Sequence, residues 1–153
     1  MVPPAPLPMV DDRPEWGGPF VGAYGSIAIE TGLGISWYHL GGQAGYNFSR
    51  GNLVFGVVGR VGTYIQSGSF GPHVEAHLRA GFAMERALLY GLVGVGTYPG
   101  DCCVFLDVGA GVEMKVGDRM SLFGEFHYVH FPTVPPPPLY FRLDFGLNFH
   151  LGN

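Results

Sequence analysis

Eleven ionisable side chains sit at alternating positions within otherwise apolar stretches: Arg60, Glu75, His77, Arg79, Asp107, Glu113, Lys115, Glu125, His127, Arg142 and Asp144. Residues of these types form ion pairs, ligate metals or carry protons. Four cations, Arg60, Arg79, Lys115 and Arg142, stand against five carboxylates, Glu75, Asp107, Glu113, Glu125 and Asp144. Charges this nearly balanced can leave water together only by pairing, because an unpaired one costs several kcal/mol. An internal polar network is therefore expected, in which His77 and His127 act as hydrogen-bonding members.

Spacing argues against a reactive centre. His73 and His77 are four residues apart, which on a strand is about 13 Å, too far to chelate one ion together. His127 and His130 would fall on opposite faces. Gly91-Leu-Val-Gly-Val-Gly96 resembles a phosphate loop in letters alone, since no helix follows to offer an anion-binding terminus. No catalytic, cofactor-binding or metal site is expected.

The elements that must position these side chains are strands. In Val104 to Val116 the even positions Val104, Leu106, Val108, Ala110, Val112, Met114 and Val116 form an unbroken apolar row, opposite Phe105, Asp107, Gly109, Gly111, Glu113 and Lys115. Such a stretch extends for about 40 Å, enough to cross a hydrocarbon core of about 30 Å at a tilt. The same alternation predicts strands over 20–30, 37–48, 53–65, 72–84, 120–131 and 139–151, and another over 87–98 whose two faces are both apolar. Ser49-Arg-Gly-Asn52, Gln66 to Gly71, Glu85-Arg86, Pro99-Gly-Asp101, Gly117-Asp-Arg119 and the prolines of 132–138 interrupt them as turns or loops. Eight strands, an even number, point to an all-β fold: an eight-stranded antiparallel up-and-down transmembrane β-barrel with short turns and loops.

Composition agrees. The chain has 153 residues, 26 of them glycine, and only 13% are charged, about half the share usual in soluble domains. That length suits one domain. A net charge of −4 without a basic run gives nucleic acid no electrostatic footing. No apolar run reaches the roughly 18 residues of a membrane helix, so entry into a bilayer requires a closed barrel. Residues 1–19 hold six prolines with Asp11 and Asp12 and read as an extended tether, leaving 20–151 for the barrel. The opening residues lack the pattern of a secretory signal, which suggests a mature sequence carrying a start methionine. Cys102 and Cys103 are adjacent and cannot staple distant parts of the chain, whether as thiols or as a vicinal disulfide.

Alternation alone does not say which row faces inward. A soluble barrel would hide the apolar row, and a membrane barrel would expose it to lipid. Two features favour the second arrangement: the balanced charge, and the glycines that share the charged rows, among them Gly22, Gly45, Gly56, Gly62, Gly81, Gly109 and Gly146. Small residues suit a narrow interior that has room only for side chains. Trp16, Phe20, Trp37, Tyr46, Phe48, Tyr128 and Phe149 are then candidates for the lipid–water boundary.

Several segments resemble the small outer-membrane β-barrel proteins of Gram-negative bacteria, the OmpA-like porin superfamily and its rhizobial-type members. They are Trp16-Gly-Gly-Pro-Phe-Val-Gly22, Gly41-Gly-Gln-Ala-Gly-Tyr-Asn-Phe48, Leu53-Val-Phe-Gly-Val-Val-Gly59, Leu78-Arg-Ala-Gly-Phe82 with Leu89-Tyr-Gly91, and Val108-Gly-Ala-Gly-Val-Glu113 with Leu122-Phe-Gly-Glu-Phe-His-Tyr128. The resemblance implies insertion in the bacterial outer membrane among lipid and lipopolysaccharide. It also implies periplasmic termini and outward loops after the first, third, fifth and seventh strands. Those loops are expected to span about five to eight residues, ordinary connections rather than long recognition loops.

Phe126-His-Tyr-Val-His130 resembles the seventh-strand region of outer-membrane lipid A deacylases, with His127 at the base position. Val129 stands where their serine stands, so the attacking hydroxyl is missing. The leading expectation is a non-enzymatic structural anchor or envelope protein that can dock a periplasmic or membrane partner through residues 1–19. A narrow ion or small-solute channel, a deacylase-like barrel without its nucleophile and an engineered scaffold are the alternatives. On the membrane reading, the purified protein needs detergent to stay dispersed and migrates anomalously on gels when unboiled; a monodisperse sample in plain buffer would refute it.

Overall fold

In a computed structural model of the protein, the described residues are 16–31, 34–100, 103–133 and 139–152, with 34–36 described by backbone alone. Eight strands follow in chain order: β1 Gly18–Glu30, β2 Gly34–Arg50, β3 Leu53–Gln66, β4 Ser69–Met84, β5 Ala87–Thr97, β6 Val104–Lys115, β7 Met120–His130 and β8 Tyr140–His150. Each pairs antiparallel with the next, and β8 returns to β1 from Phe20↔His150 to Glu30↔Tyr140, so the barrel is closed. Closure leaves no ladder edge along the shared wall. The shortest strands have 11 residues, sufficient for a tilted crossing, which takes about 9–11.

Leu40, Phe55, Val57, Val61, Leu78, Val93, Val108, Leu143 and Phe145 point outward and are 45–62% exposed. The charged row is buried within. A soluble protein does not display so continuous an apolar girdle, whereas a barrel solvated by acyl chains must. The ambiguous β5 takes its phase from its neighbours: Leu89, Val93 and Val95 face out, while Leu88, Tyr90 and Leu92 are buried. At Gly45 a methyl group would collide with the Phe20 ring and the Val57 carbonyl. Glycine there lets the ring lie flat along the inner wall.

Two connections are shorter than expected. The β3–β4 ladder continues to Gln66↔Ser69, leaving Ser67 and Gly68 at φ 40° and 86°, as a tight type I′ hairpin requires. β2 begins at Gly34, so only 31–33 join it to β1. The longer connections are 98–103 and 131–139. Cys102 and the prolines from 135 to 138 lie outside the described residues.

The inner wall is not polar throughout. At the end holding the chain termini, Trp16, Val54, Leu88, Tyr90 and Leu92 form a buried cluster, with Ala83 against it. At the other end Tyr98, Phe105, Val129 and Phe131 cluster beneath Trp37, Tyr64 and Tyr140. The expectation that Trp16, Phe20 and Trp37 sit at the lipid boundary is therefore corrected. Trp16 and Phe20 are 2% and 1% exposed, and Trp37 packs its ring against Tyr64 and Tyr98 at centroid distances of 5.5 and 5.2 Å. Their rings close over the polar layer, where they remove more apolar area from water than at a half-wet boundary. Tyr46, Phe48 and Phe149 do face outward, exposed by 43–61%, and Tyr128 is half-buried beside Phe141. Of the expected tether, residues 1–15 lie outside the described residues, while Gly18 and Pro19 already belong to β1.

Leu78, outward near the middle of β4, tests the arrangement. Leu78→Arg is expected to destabilise the barrel by about 2–4 kcal/mol in lipid, as a cation does at mid-bilayer. Denaturant unfolding in vesicles measures this, with Leu78→Ile as the near-neutral control.

Candidate functional site

All eleven ionisable residues singled out in the sequence are at most 6% exposed, because strand alternation turns each toward the axis. Two arginines organise the middle of the barrel. Arg60 on β3 donates through Nε to Gln43 Oε1 at 2.7 Å, through Nη1 to Asp144 Oδ2 at 2.8 Å and through Nη2 to Glu125 Oε2 at 2.6 Å. Its guanidinium also lies 5.0 Å from the Tyr24 ring centre. Arg142 on β8 holds Glu75 with two parallel bonds of 2.7 and 2.9 Å, the planar fork geometry that favours arginine over lysine. Its Nε is 2.9 Å from Asp144 Oδ1, and its Nη2 3.3 Å from Asp107 Oδ2.

Arg79 and Glu113 make a second centre nearer the termini. Arg79 Nη1 donates to Glu113 Oε2 at 2.9 Å, and Nε and Nη2 both reach Asn47 Oδ1. Glu113 Oε1 accepts from Ser121 Oγ and from Asn148 Nδ2 at 2.9 Å. Asn148 Oδ1 in turn accepts from Gln43, tying this centre to Arg60. Lys115 lies farthest toward the end, 5.1 Å from the Trp16 ring centre. Such cation–π contacts favour a cation that has left water.

The histidines divide between two places. His73 hydrogen-bonds the Tyr24 hydroxyl and stacks near His39, with ring centroids 4.7 Å apart, under the aromatic end. His77 and His127 lie deeper. His77 Nε2 is 3.0 Å from Asp107 Oδ2, and His127 Nε2 is 3.0 Å from Glu125 Oε2 and 3.2 Å from Asp144 Oδ2. Counting separations along one strand could not reveal that β4, β6 and β7 bring His77, Asp107 and His127 together across the lumen. Tyr24, Gln43, Asn47, Tyr90, Ser121, Asn148 and His150 also belong to the network and were not singled out as site residues. Their alternation placed most of them inward, but only cross-barrel packing shows their partners. His127 faces inward with Val129 two residues on, so the position that resembles a deacylase base opens on carboxylates rather than on lipid.

What the assembly can do chemically is bind the walls together. Each arginine bridges strands far apart in the chain, and its removal strands carboxylates without a counter-charge. Arg142→Met is expected to cost about 3–5 kcal/mol, the penalty for breaking a buried pair on one side. Combining it with Glu75→Gln should recover part of that loss, which a double-mutant unfolding cycle measures.

No protein-family model matches the chain. It is 30% identical, over an alignment of 141 residues, to the 22 kDa outer membrane protein of Rhizobium leguminosarum bv. viciae. That alignment takes in 78% of this chain and 66% of the relative, so the chain spans about two thirds of the relative's length. Among solved structures it is similar to Neisserial surface protein A (NspA), with a TM-score of 0.57, 16% identity and coverage of 88% of this chain and 97% of that one. It is also similar to Ail, the attachment invasion locus protein of Yersinia pestis, with a TM-score of 0.58, 17% identity and coverage of 87% and 98%. At these identities the two structures speak to the fold, while the rhizobial relative adds the location. The chain is a small eight-stranded outer-membrane β-barrel protein.

Proposed function

We propose that the protein is a non-enzymatic structural component of the outer membrane, an anchor whose lumen is closed to solutes. The observation that carries this reading is the layering of the interior. An ion network fixed by Arg60, Arg79 and Arg142 lies between the Trp16–Leu92 and Tyr98–Phe131 clusters. Water or ions crossing such a lumen would have to part both aromatic ends and break charge-assisted bonds whose replacement by hydration must be complete at each step. In an eight-stranded barrel the side chains themselves fill the space.

On this reading both termini face the periplasm, lipopolysaccharide and lipid surround the wall, and the proline-rich residues ahead of Trp16 serve a periplasmic or membrane partner. The chain fits among the rhizobial-type, OmpA-like barrels through the segments around Trp16, Gly41 and Val108. Catalysis is set aside because the base-like His127 has no neighbouring hydroxyl in the nucleophile position, where Val129 stands. Short connections such as Ser67-Gly68 offer little surface for a receptor.

Planar-bilayer recordings distinguish this from the narrow-channel reading. The reconstituted protein is expected to show no steady conductance, and replacing Glu125 by Gln should alter stability without opening a pore. A large, persistent conductance that changes with Arg60 or Asp144 substitutions would replace the anchor with a channel.

A further inference from the structure

We propose that His77, Asp107 and His127 form a binding site for one divalent transition-metal ion, zinc by the character of its donors, at the centre of the barrel. One ligand atom from each of the three lies within 4.8 Å of the others. His77 Nε2 and His127 Nδ1 stand 3.0 and 3.6 Å from Asp107 Oδ2. Tetrahedral zinc with ligand bonds of about 2.0–2.1 Å needs donors about 3.3 Å apart, which these separations bracket. Glu75 Oε2 is 3.4 Å from His77 Nε2 but is already held by Arg142 Nη2 at 2.9 Å, so the chain supplies three ligands and leaves the fourth position open. Two imidazoles with carboxylate oxygen are a donor set suited to zinc rather than to magnesium or calcium.

Three further observations point to a ligand. His127 Nδ1, one of the donor atoms named above, has no hydrogen-bond partner among the described residues, although its side chain is fully buried and buried polar groups are ordinarily paired. Gly94 lies between His77 and Asp107 in the β4–β5–β6 ladder, and a methyl group there would strike both the His77 ring and Asp107 Oδ1. Glycine thus opens the wall at the point where the two side chains meet. Finally, the four carboxylates Glu75, Asp107, Glu125 and Asp144 lie beside two arginines, Arg60 and Arg142, and the imidazoles of His73, His77 and His127, so carboxylates outnumber arginines in the layer where a divalent cation would sit.

The neighbouring group Glu125, His127 and Asp144 is a poorer site, because Arg60 already occupies the two carboxylates. Arg142 is the cation nearest the proposed site, at 3.3 Å from Asp107 Oδ2, and its two shorter bonds to Glu75 draw it aside. The bound ion would link β4, β6 and β7 across the lumen.

The test is to refold the full chain from denaturant into detergent with zinc, remove free metal by gel filtration and measure bound zinc. Folding is checked by heat-dependent gel migration. The wild type is expected to retain about one zinc per chain, the count of a single site. His77→Gln and Asp107→Asn should fall to background, and His39→Gln, outside the set, should keep its ion. Cobalt in place of zinc should give the visible absorption of a low-coordinate nitrogen and oxygen site in the wild type, a readout that holds even where a variant does not fold. Folded wild type without stoichiometric zinc, folded His77→Gln and Asp107→Asn that retain it, or cobalt bound without that absorption would each overturn the proposal.

Discussion

Hydrocarbon solvates neither a peptide group nor a charge, and every level of this structure answers to that constraint. Backbone donors and acceptors along the wall find partners in neighbouring strands, with the β1–β8 ladder completing the circuit. Side chains that water would otherwise stabilise are gathered on the axis, where arginine forks and carboxylates satisfy one another. The apolar row is then free to meet acyl chains. Hydrophobicity is still what holds the protein in place, but it acts on the outside, while the inside is held by electrostatics and ring packing.

The inner surface is graded along its length. Charges occupy the middle, where Arg60 and Arg142 serve carboxylates from four strands, β4, β6, β7 and β8. Rings and aliphatic groups take over toward each end. Such a gradient keeps the strongest electrostatic contacts farthest from competing water, where a low dielectric strengthens them. Tyr24, Tyr90 and Tyr98 join the two regimes: each offers a ring to the apolar packing and a hydroxyl to the network.

Most of the wall was legible in the sequence because a strand has a period of two, and a single misplaced phase would have put Asp107 or Arg142 into lipid. The strand β5 resisted that reading, since Leu88, Tyr90 and Leu92 are as apolar as Leu89 and Val93; only pairing with β4 and β6 sets its phase. Alternation also says which face a residue occupies, not how far along the barrel axis its ring reaches, which is why Trp16, Phe20 and Trp37 were expected outside. Convergence across the lumen was illegible for a different reason. His77 and His127 are 50 residues apart in sequence, and their meeting depends on the stagger of three strands, which no local pattern encodes. Turn chemistry lies between these cases: Ser67-Gly68 marked a reversal, but the length of the ladder on either side was fixed by pairing.

Arg142 and Asp144, two principal members of the ion network, are carried by β8, the strand that closes the barrel onto β1. Until β8 docks against β1, Glu75, Asp107 and Arg60 lack those counter-charges, and the half-built sheet has an open seam as well as uncompensated ions. Sealing the wall and neutralising its contents are therefore one event. A wall without β8 would carry both faults together, and that makes β8 the latch of the barrel.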